Sequence, residues 1–282
     1  MAARIHISRP ATRALTSTGG FLAGFSFSLN PYIGCAFGAA GGCPFCYVRM
    51  LPVARSMEGE WGRWVIAKSN LPQLLEGELA SLERAGRLGH ATVFMSSATD
   101  PYQGIERRLM LTRRSLEAFT RRPVRRLLLQ TRSPIVERDI DLLRALGSSV
   151  IVSITLETDD ESVRRAITPT SPSVERRLAL CARLRDAGIF VQVAVAPMMP
   201  NCPERFAALL ERAADRVVVD TYFAGDGSGG RRSQALGIGE LYDHLGCRRW
   251  FKPGAERELV EALRSRLGPG RVLFSREGFS AV

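Results

Sequence analysis

Residues 28–49 read SLNPYIGCAFGAAGGCPFCYVR and place three of the six cysteines, Cys35, Cys43 and Cys46, in one short loop. Glycines and Pro44 lie between them. Glycine lets the backbone turn sharply and approach a bulky inorganic group. Three thiolates on such a loop can hold three irons of a cubane [4Fe-4S] cluster, since cluster thiolates come from short cysteine-rich runs. The fourth iron then has no protein ligand and is open to a substrate. Other readings compete. Zinc takes four ligands, or three and a water, and the Cys43–Cys46 pair has neither a second such pair nor a nearby histidine. Three structural cysteines buried side by side is another reading. A disulfide framework suits small secreted domains, and nothing at the N-terminus reads as a signal peptide.

The loop has a strand in front of it and a long alternating pattern behind. Phe25–Leu29 alternates apolar and polar residues, the period of a strand. Leu71–Arg87 is predicted helical, with Leu74, Leu75, Leu79 and Leu82 on one face. Further strands are predicted at 91–95, 125–130, 150–156, 190–196 and 216–222, separated by helices; Ser171 and Pro172 open the one that ends near Asp186. Six strands alternating with helices indicate a parallel α/β sheet, wound by right-handed crossovers into an open barrel. In such folds the strand C-termini carry the site. The polar segments Ser96–Gln103, Thr131–Pro134, Glu157–Thr158 and Pro197–Cys202 all fall at such ends.

The chain has 282 residues, 45% of them hydrophobic, with a net charge of +11. No apolar run approaches the ~20 residues of a membrane span, so no membrane association is expected. Free cysteines call for a reducing compartment, and the expected location is the cytoplasm. Lys68 and Lys252 are the only lysines, so the basic excess is arginine. Such a balance favours a polyanionic partner, nucleic acid included; scattered arginine pairs over many helices fit an ordinary solvated surface as well. Residues 1–20 read as a flexible arm, 21–224 as the barrel, and 225–282 as a glycine-rich loop (GDGSGGRRSQALGIG) with a C-terminal extension. That loop is either a plain linker or a cover for the barrel mouth.

The pattern NPYIGC…GCxxCYxR, with aromatics on both sides of the last cysteine, resembles the cluster motif of radical S-adenosylmethionine (SAM) enzymes. Within them it is most similar to the spore photoproduct lyase-like group. The likeness extends from about Asn30 to about Tyr222. That group usually has three residues between its first two cysteines; the seven here, Ala36 to Gly42, read as a four-residue insertion.

The resemblance implies a partial six-stranded (β/α)6 barrel with N- and C-terminal extensions. It implies a [4Fe-4S] cluster on Cys35, Cys43 and Cys46, and SAM as the second cofactor. It implies reductive cleavage of SAM to a 5′-deoxyadenosyl radical, a reducing partner of flavodoxin or ferredoxin type, and a substrate left unidentified. Arg132 stands where the family places a basic residue, and arginine suits the SAM carboxylate. Ser153 and Glu157 are placed to accept from ribose hydroxyls or the ammonium. Asp100 and Gln103 belong to a segment similar to the family's TDPYQ. Tyr47 matches the aromatic that packs near adenine, while Asn30 and Tyr32 are read as shaping the loop. Where spore photoproduct lyase has a cysteine hydrogen-atom donor, this chain has Ser97, whose O–H is too strong for that role. Cys202 then becomes the candidate thiol donor. Repair or modification of nucleic acid, lyase-like, is the alternative enzymatic reading, and a non-catalytic iron-sulfur binding protein is the alternative of another class.

Overall fold

The structure is a computed structural model that describes residues 5–37 and 42–280. Its strands are β1 (Ile5–Arg9), β2 (Leu15–Ser17), β3 (Phe27–Leu29), β4 (Tyr32–Cys35), β5 (Trp64–Lys68), β6 (Thr92–Met95), β7 (Arg126–Thr131), β8 (Val150–Thr155), β9 (Val191–Val195), β10 (Arg216–Val219) and β11 (Val272–Phe274). Eight form the main sheet, in the order β11-β10-β9-β8-β7-β6-β3-β2, with β2 and β11 at its edges. Every pairing in it is parallel except β2 with β3. The six predicted strands are β3 and β6 to β10, side by side. Strands β8 and β9 are buried along their whole length, as expected of parallel strands covered on both faces.

The two faces differ, because successive side chains point to opposite sides of a strand. One face carries Val93, Leu127, Leu129, Val152, Val193 and Val217 into a large core with helix residues Leu79, Phe119, Leu180, Leu210 and Leu263. Cys181 lies in that core, fully buried. The opposite face carries Phe94, Leu128, Ile151, Ala194 and Val218 into a smaller cluster. That cluster is plugged from outside the sheet by Phe25 and Phe279, with Phe21 and Leu22 packed against it.

The flexible arm expected over residues 1–20 is replaced, from Ile5 onward, by ordered structure. β1 pairs in parallel with β5, and β2 pairs with β3. The backbone N–H groups of Ala14 and Leu15 both donate to the Glu78 carboxylate, at 2.8 and 2.7 Å, and both residues are buried. A second sheet, ordered β1-β5-β4, was not foreseen; β4 runs antiparallel to β5 and delivers Cys35 at its end. Of the presumed insertion, residues 38–41 lie outside the described residues. Among the described residues no helix is long and apolar enough to cross a membrane.

Candidate functional site

The cysteine loop is built on β4. Gly34 has φ +88°, and a Cβ there would collide with the Trp64 ring; only glycine permits that close packing. Gln103 clamps the loop from behind. Its Oε1 accepts from the Ala36 N–H at 2.8 Å, and its Nε2 donates to the Gly34 carbonyl at 3.2 Å and to Thr99 Oγ1 at 2.6 Å. Asn30 adds a second tie, donating to Ser97 Oγ at 3.1 Å and accepting from the Ala98 N–H at 3.0 Å. Tyr47 donates to the Ser97 carbonyl at 2.8 Å. Tyr32 donates to buried Glu106, whose Oε1 is paired with Arg138 at 2.8 Å. The NPYIGC and TDPYQ segments are therefore two halves of one clamp.

Cys43, Cys46 and Tyr47 open on a cavity of about 300 Å³ at the C-terminal ends of the sheet strands, together with Ser96, Ser97, Gln130, Arg132, Thr155 and Asp220. Arg132 is the central cation. Its NH1 lies 2.7 Å from Cys43 Sγ and 3.3 Å from Ser171 Oγ, and its NH2 lies 3.3 Å from Glu157 Oε1. Glu157 in turn pairs with fully buried Arg177 at 2.6 Å, and Arg177 also donates to the Thr155 carbonyl at 2.9 Å. Burial alone would raise the Glu157 pKa, but the guanidiniums of Arg177 and Arg132 hold it below the usual carboxylate value. Asp100 does not line the cavity. It accepts from the Arg132 N–H at 3.0 Å, Thr131 Oγ1 at 2.7 Å and the Tyr102 N–H at 2.8 Å, and so sets the turn that aims Arg132. Ser153 is fully buried beneath the site and accepts from Gln192 Nε2 at 3.1 Å.

The donor set fits a cubane cluster. Cys35, Cys43 and Cys46 are all unbridged. Burial pushes the Cys35 thiol up to about 12, and the neighbouring Cys43 and Cys46 push it further in the same direction. Burial also raises Cys43 and Cys46, while Arg132 pulls both down. Left bare, this is an unfavourable place for three thiolates; a bound metal reverses that balance by deprotonating coordinating thiols. Among the described residues no His, Cys, Asp and Glu group has the spacing to hold a single metal ion.

Cys202, the expected thiol donor, is not at the site. It is exposed and does not line the cavity. The preceding residues turn inward first: Met198 and Met199 are buried, and their N–H groups donate to the carbonyls of Asp220 (2.8 Å) and Glu157 (2.9 Å). The chain then leads outward to the helix Pro203–Ala213, with the Cys202 N–H on Asp159 Oδ1 at 3.1 Å.

One contributor was missed, and another had been left between two readings. Asp220, just past β10, lines the cavity while only 4% exposed. Burial pushes its carboxyl up to about 6, and Asp226 pushes in the same direction. The strand predicted to run on to Tyr222 hid it, although an acid directly after RVVV sits where Arg132 and Glu157 sit on their strands. The other is the glycine-rich loop, which reaches the cavity through Gly225, Asp226, Gly227, Arg232 and Ser233. Asp226 organises it by accepting from the N–H groups of Ser228 (2.7 Å), Gly230 (3.0 Å) and Ser233 (3.1 Å), and its carbonyl accepts from Arg232 NH1 at 2.7 Å. An Asp followed by glycines is the signal of such a turn.

Comparison with known proteins gives three results. A family model described as "Radical SAM superfamily" matches residues 29–213. Uncharacterized protein MJ0683 of Methanocaldococcus jannaschii is 32% identical over 178 residues, which cover 63% of this chain and 62% of that protein. The chain thus spans less than two thirds of that relative's length. Spore photoproduct lyase complexed with dinucleoside spore photoproduct superposes with a TM-score of 0.65 at 14% identity, over 96% of this chain and 81% of that one. A spore photoproduct lyase double mutant with bound AdoMet and dinucleoside spore photoproduct gives 0.63 at 15% identity, over 95% and 81%. At such identities the likeness is one of fold.

Proposed function

Because this chain belongs to the radical SAM superfamily, whose cofactors are a [4Fe-4S] cluster and SAM, we propose that it is an enzyme that starts radical chemistry on a substrate held in the cavity beside Arg132. The observation that carries the reading is the meeting of Cys43, Cys46 and Arg132 on one cavity at the strand ends. Cys35, Cys43 and Cys46 would hold the cluster. When bound and reduced, the cluster supplies reductive cleavage of SAM to a 5′-deoxyadenosyl radical, chemistry that belongs to the cofactors.

The chain's residues bind, orient and exclude water. Arg132 offers the cation for the SAM carboxylate, and Glu157, itself anchored by Arg177, holds it from behind. Tyr47, held at its hydroxyl by Ser97, offers a ring face for adenine. Asp100 and Gln103 act at one remove, through the Arg132 turn and the cysteine loop, while Ser153, buried against Gln192 and not on the cavity, has no part in binding. The sheet serves as an open (β/α)6 barrel whose mouth is covered by the glycine-rich loop. A reductant of flavodoxin or ferredoxin type in the cytoplasm completes the scheme.

A second reading, a lyase-like reaction on nucleic acid, draws on the arginine excess and on the fold shared with spore photoproduct lyase. Ser97 weighs against the thymine-dimer reaction, since its hydroxyl is held by Asn30 and has no thiol to offer.

Anaerobic reconstitution with iron and sulfide, then dithionite reduction with SAM, tests the proposal by chromatography of 5′-deoxyadenosine. Formation by the wild type and not by Cys43→Ala is the expected result. A loaded cluster that never cleaves SAM would replace the enzyme with a binding protein.

A further inference from the structure

Below the cysteines the cavity changes character. Its floor is apolar, lined by Phe21, Leu22, Phe94 and Phe279, with the Phe21 and Phe279 centroids 5.7 Å apart. Above that floor stand three polar groups with unused capacity. Asp220 accepts from its neighbour, the Thr221 N–H, at 2.9 Å and also meets the Ser275 hydroxyl, neither of which brings a positive charge to it. Gln130 Oε1 and Ser96 Oγ are buried and have no hydrogen-bond partner. The charges near Asp220 do not neutralise it. Asp226 is a like charge. Arg232, the loop's cation on the same cavity, donates its NH1 to the Asp226 carbonyl, and Arg132 is matched by Glu157 and Cys43. Gly225 lies so close to the Asp220 carboxylate that a Cβ there would collide with it, so the glycine admits the acid into the wall.

A buried carboxylate without a cation is unfavourable by itself, and unpaired buried acceptors add to the deficit. One kind of ligand relieves all of this: a basic nitrogen carried on an apolar, ring-sized body. Its ammonium would meet Asp220, further N–H or O–H donors would meet Gln130 and Ser96, and aromatic rings offer their faces to a cation.

We propose that the floor of the cavity is the substrate subsite and that it selects substrates bearing a protonated amine beside an apolar group, with Asp220 as the residue that sets this specificity. The proposal rests on the radical SAM reading only in calling the ligand a substrate; the binding preference itself stands on the cavity.

Titration calorimetry on the reconstituted protein, with and without SAM, tests it with benzylamine and the neutral isostere benzyl alcohol as probes. The wild type is expected to bind benzylamine at least tenfold tighter than benzyl alcohol. Asp220→Asn, checked for an unchanged circular dichroism spectrum, is expected to bind the two equally while keeping its affinity for SAM. Equal binding by the wild type, no amine binding at millimolar concentration, a preference that survives Asp220→Asn, or a parallel loss of SAM affinity would each overturn the proposal. 5′-Deoxyadenosine formation, followed on the same preparation, reports separately on the radical reading.

Discussion

Asp220 should make the protein less stable as pH rises, and Asp220→Asn should undo that. The carboxyl has a folded-state pKa of about 6 against an ordinary value of 3.8. The folded protein therefore holds this proton more tightly than the unfolded chain does. Below pH ~4 both states are protonated and the site costs nothing. Between pH ~4 and ~6 the unfolded chain ionises first, and stability falls as pH rises. Above pH ~6 the full difference is present: at 1.36 kcal/mol per pKa unit it comes to about 3 kcal/mol. An amide in place of the acid removes the charge and can still accept from the Thr221 N–H, but brings an N–H₂ group with no partner waiting, which returns ~1 kcal/mol or more. Asp220→Asn is thus expected to be about 1–2 kcal/mol more stable than wild type at pH 7.5 and equal or less stable at pH 4. Urea unfolding of both proteins, cluster-free and under reductant, measures this across the pH range. Taking the difference cancels other titrating groups, because distant sites add. A wild type as stable as the variant at pH 7.5, or a gap that does not shrink toward pH 4, would refute the reasoning.

Other substitutions test other parts of the site. Glu157→Gln leaves fully buried Arg177 without its counter-charge and is expected to cost about 3–5 kcal/mol in urea unfolding. Gln103→Leu leaves the Ala36 N–H without its partner, while the Gly34 carbonyl keeps Thr99 Oγ1, so a loss of about 1–3 kcal/mol is expected, with lowered iron content after reconstitution. Gly34→Ala combines a left-handed backbone with a collision on Trp64 and should exceed about 4 kcal/mol, read as insoluble protein or absent cluster absorbance. Cys202→Ser, exposed and away from the cavity, should change stability by no more than ~0.5 kcal/mol and leave 5′-deoxyadenosine formation unaltered.

The main sheet was legible because parallel strands buried on both faces read as short apolar runs, and VIVSIT and VQVAV are such runs. β5 was not, since WVIAK follows a stretch without periodicity and finds its partners, β1 and β4, only in space. β1 was hidden for a related reason: IHISR is mostly exposed, so pairing rather than burial holds it. Arg132 and Tyr47, picked out by the family resemblance together with their positions beside a strand end and a cysteine, both line the cavity. Asp100 and Gln103, taken from the family resemblance as cofactor-binding, do not line the cavity but tie down its loops, and no spacing rule reveals which loop a side chain will hold. Asp220 escaped because it was absorbed into a strand, and Arg232 was not singled out because its loop read equally well as a linker or as a cover for the barrel mouth. Cys202 was misplaced because the inward turn of Met198 and Met199 is a matter of tertiary packing.

The plug beneath the sheet has a consequence for the order in which the site comes into being. The strands of the main sheet mostly pair with neighbours that follow closely in the chain, so the sheet can grow outward as synthesis proceeds. Phe21 and Phe279, which meet under the cavity, are separated by almost the whole sequence, and closing so long a loop is entropically disfavoured until the rest is in place. The cavity therefore has walls before it has a bottom. In the folded protein the same contact is carried by one short turn, Ser275–Phe279, packed against β10 where Gly278 meets Val218. The cavity thus takes its bottom from residues that meet only when the fold is complete.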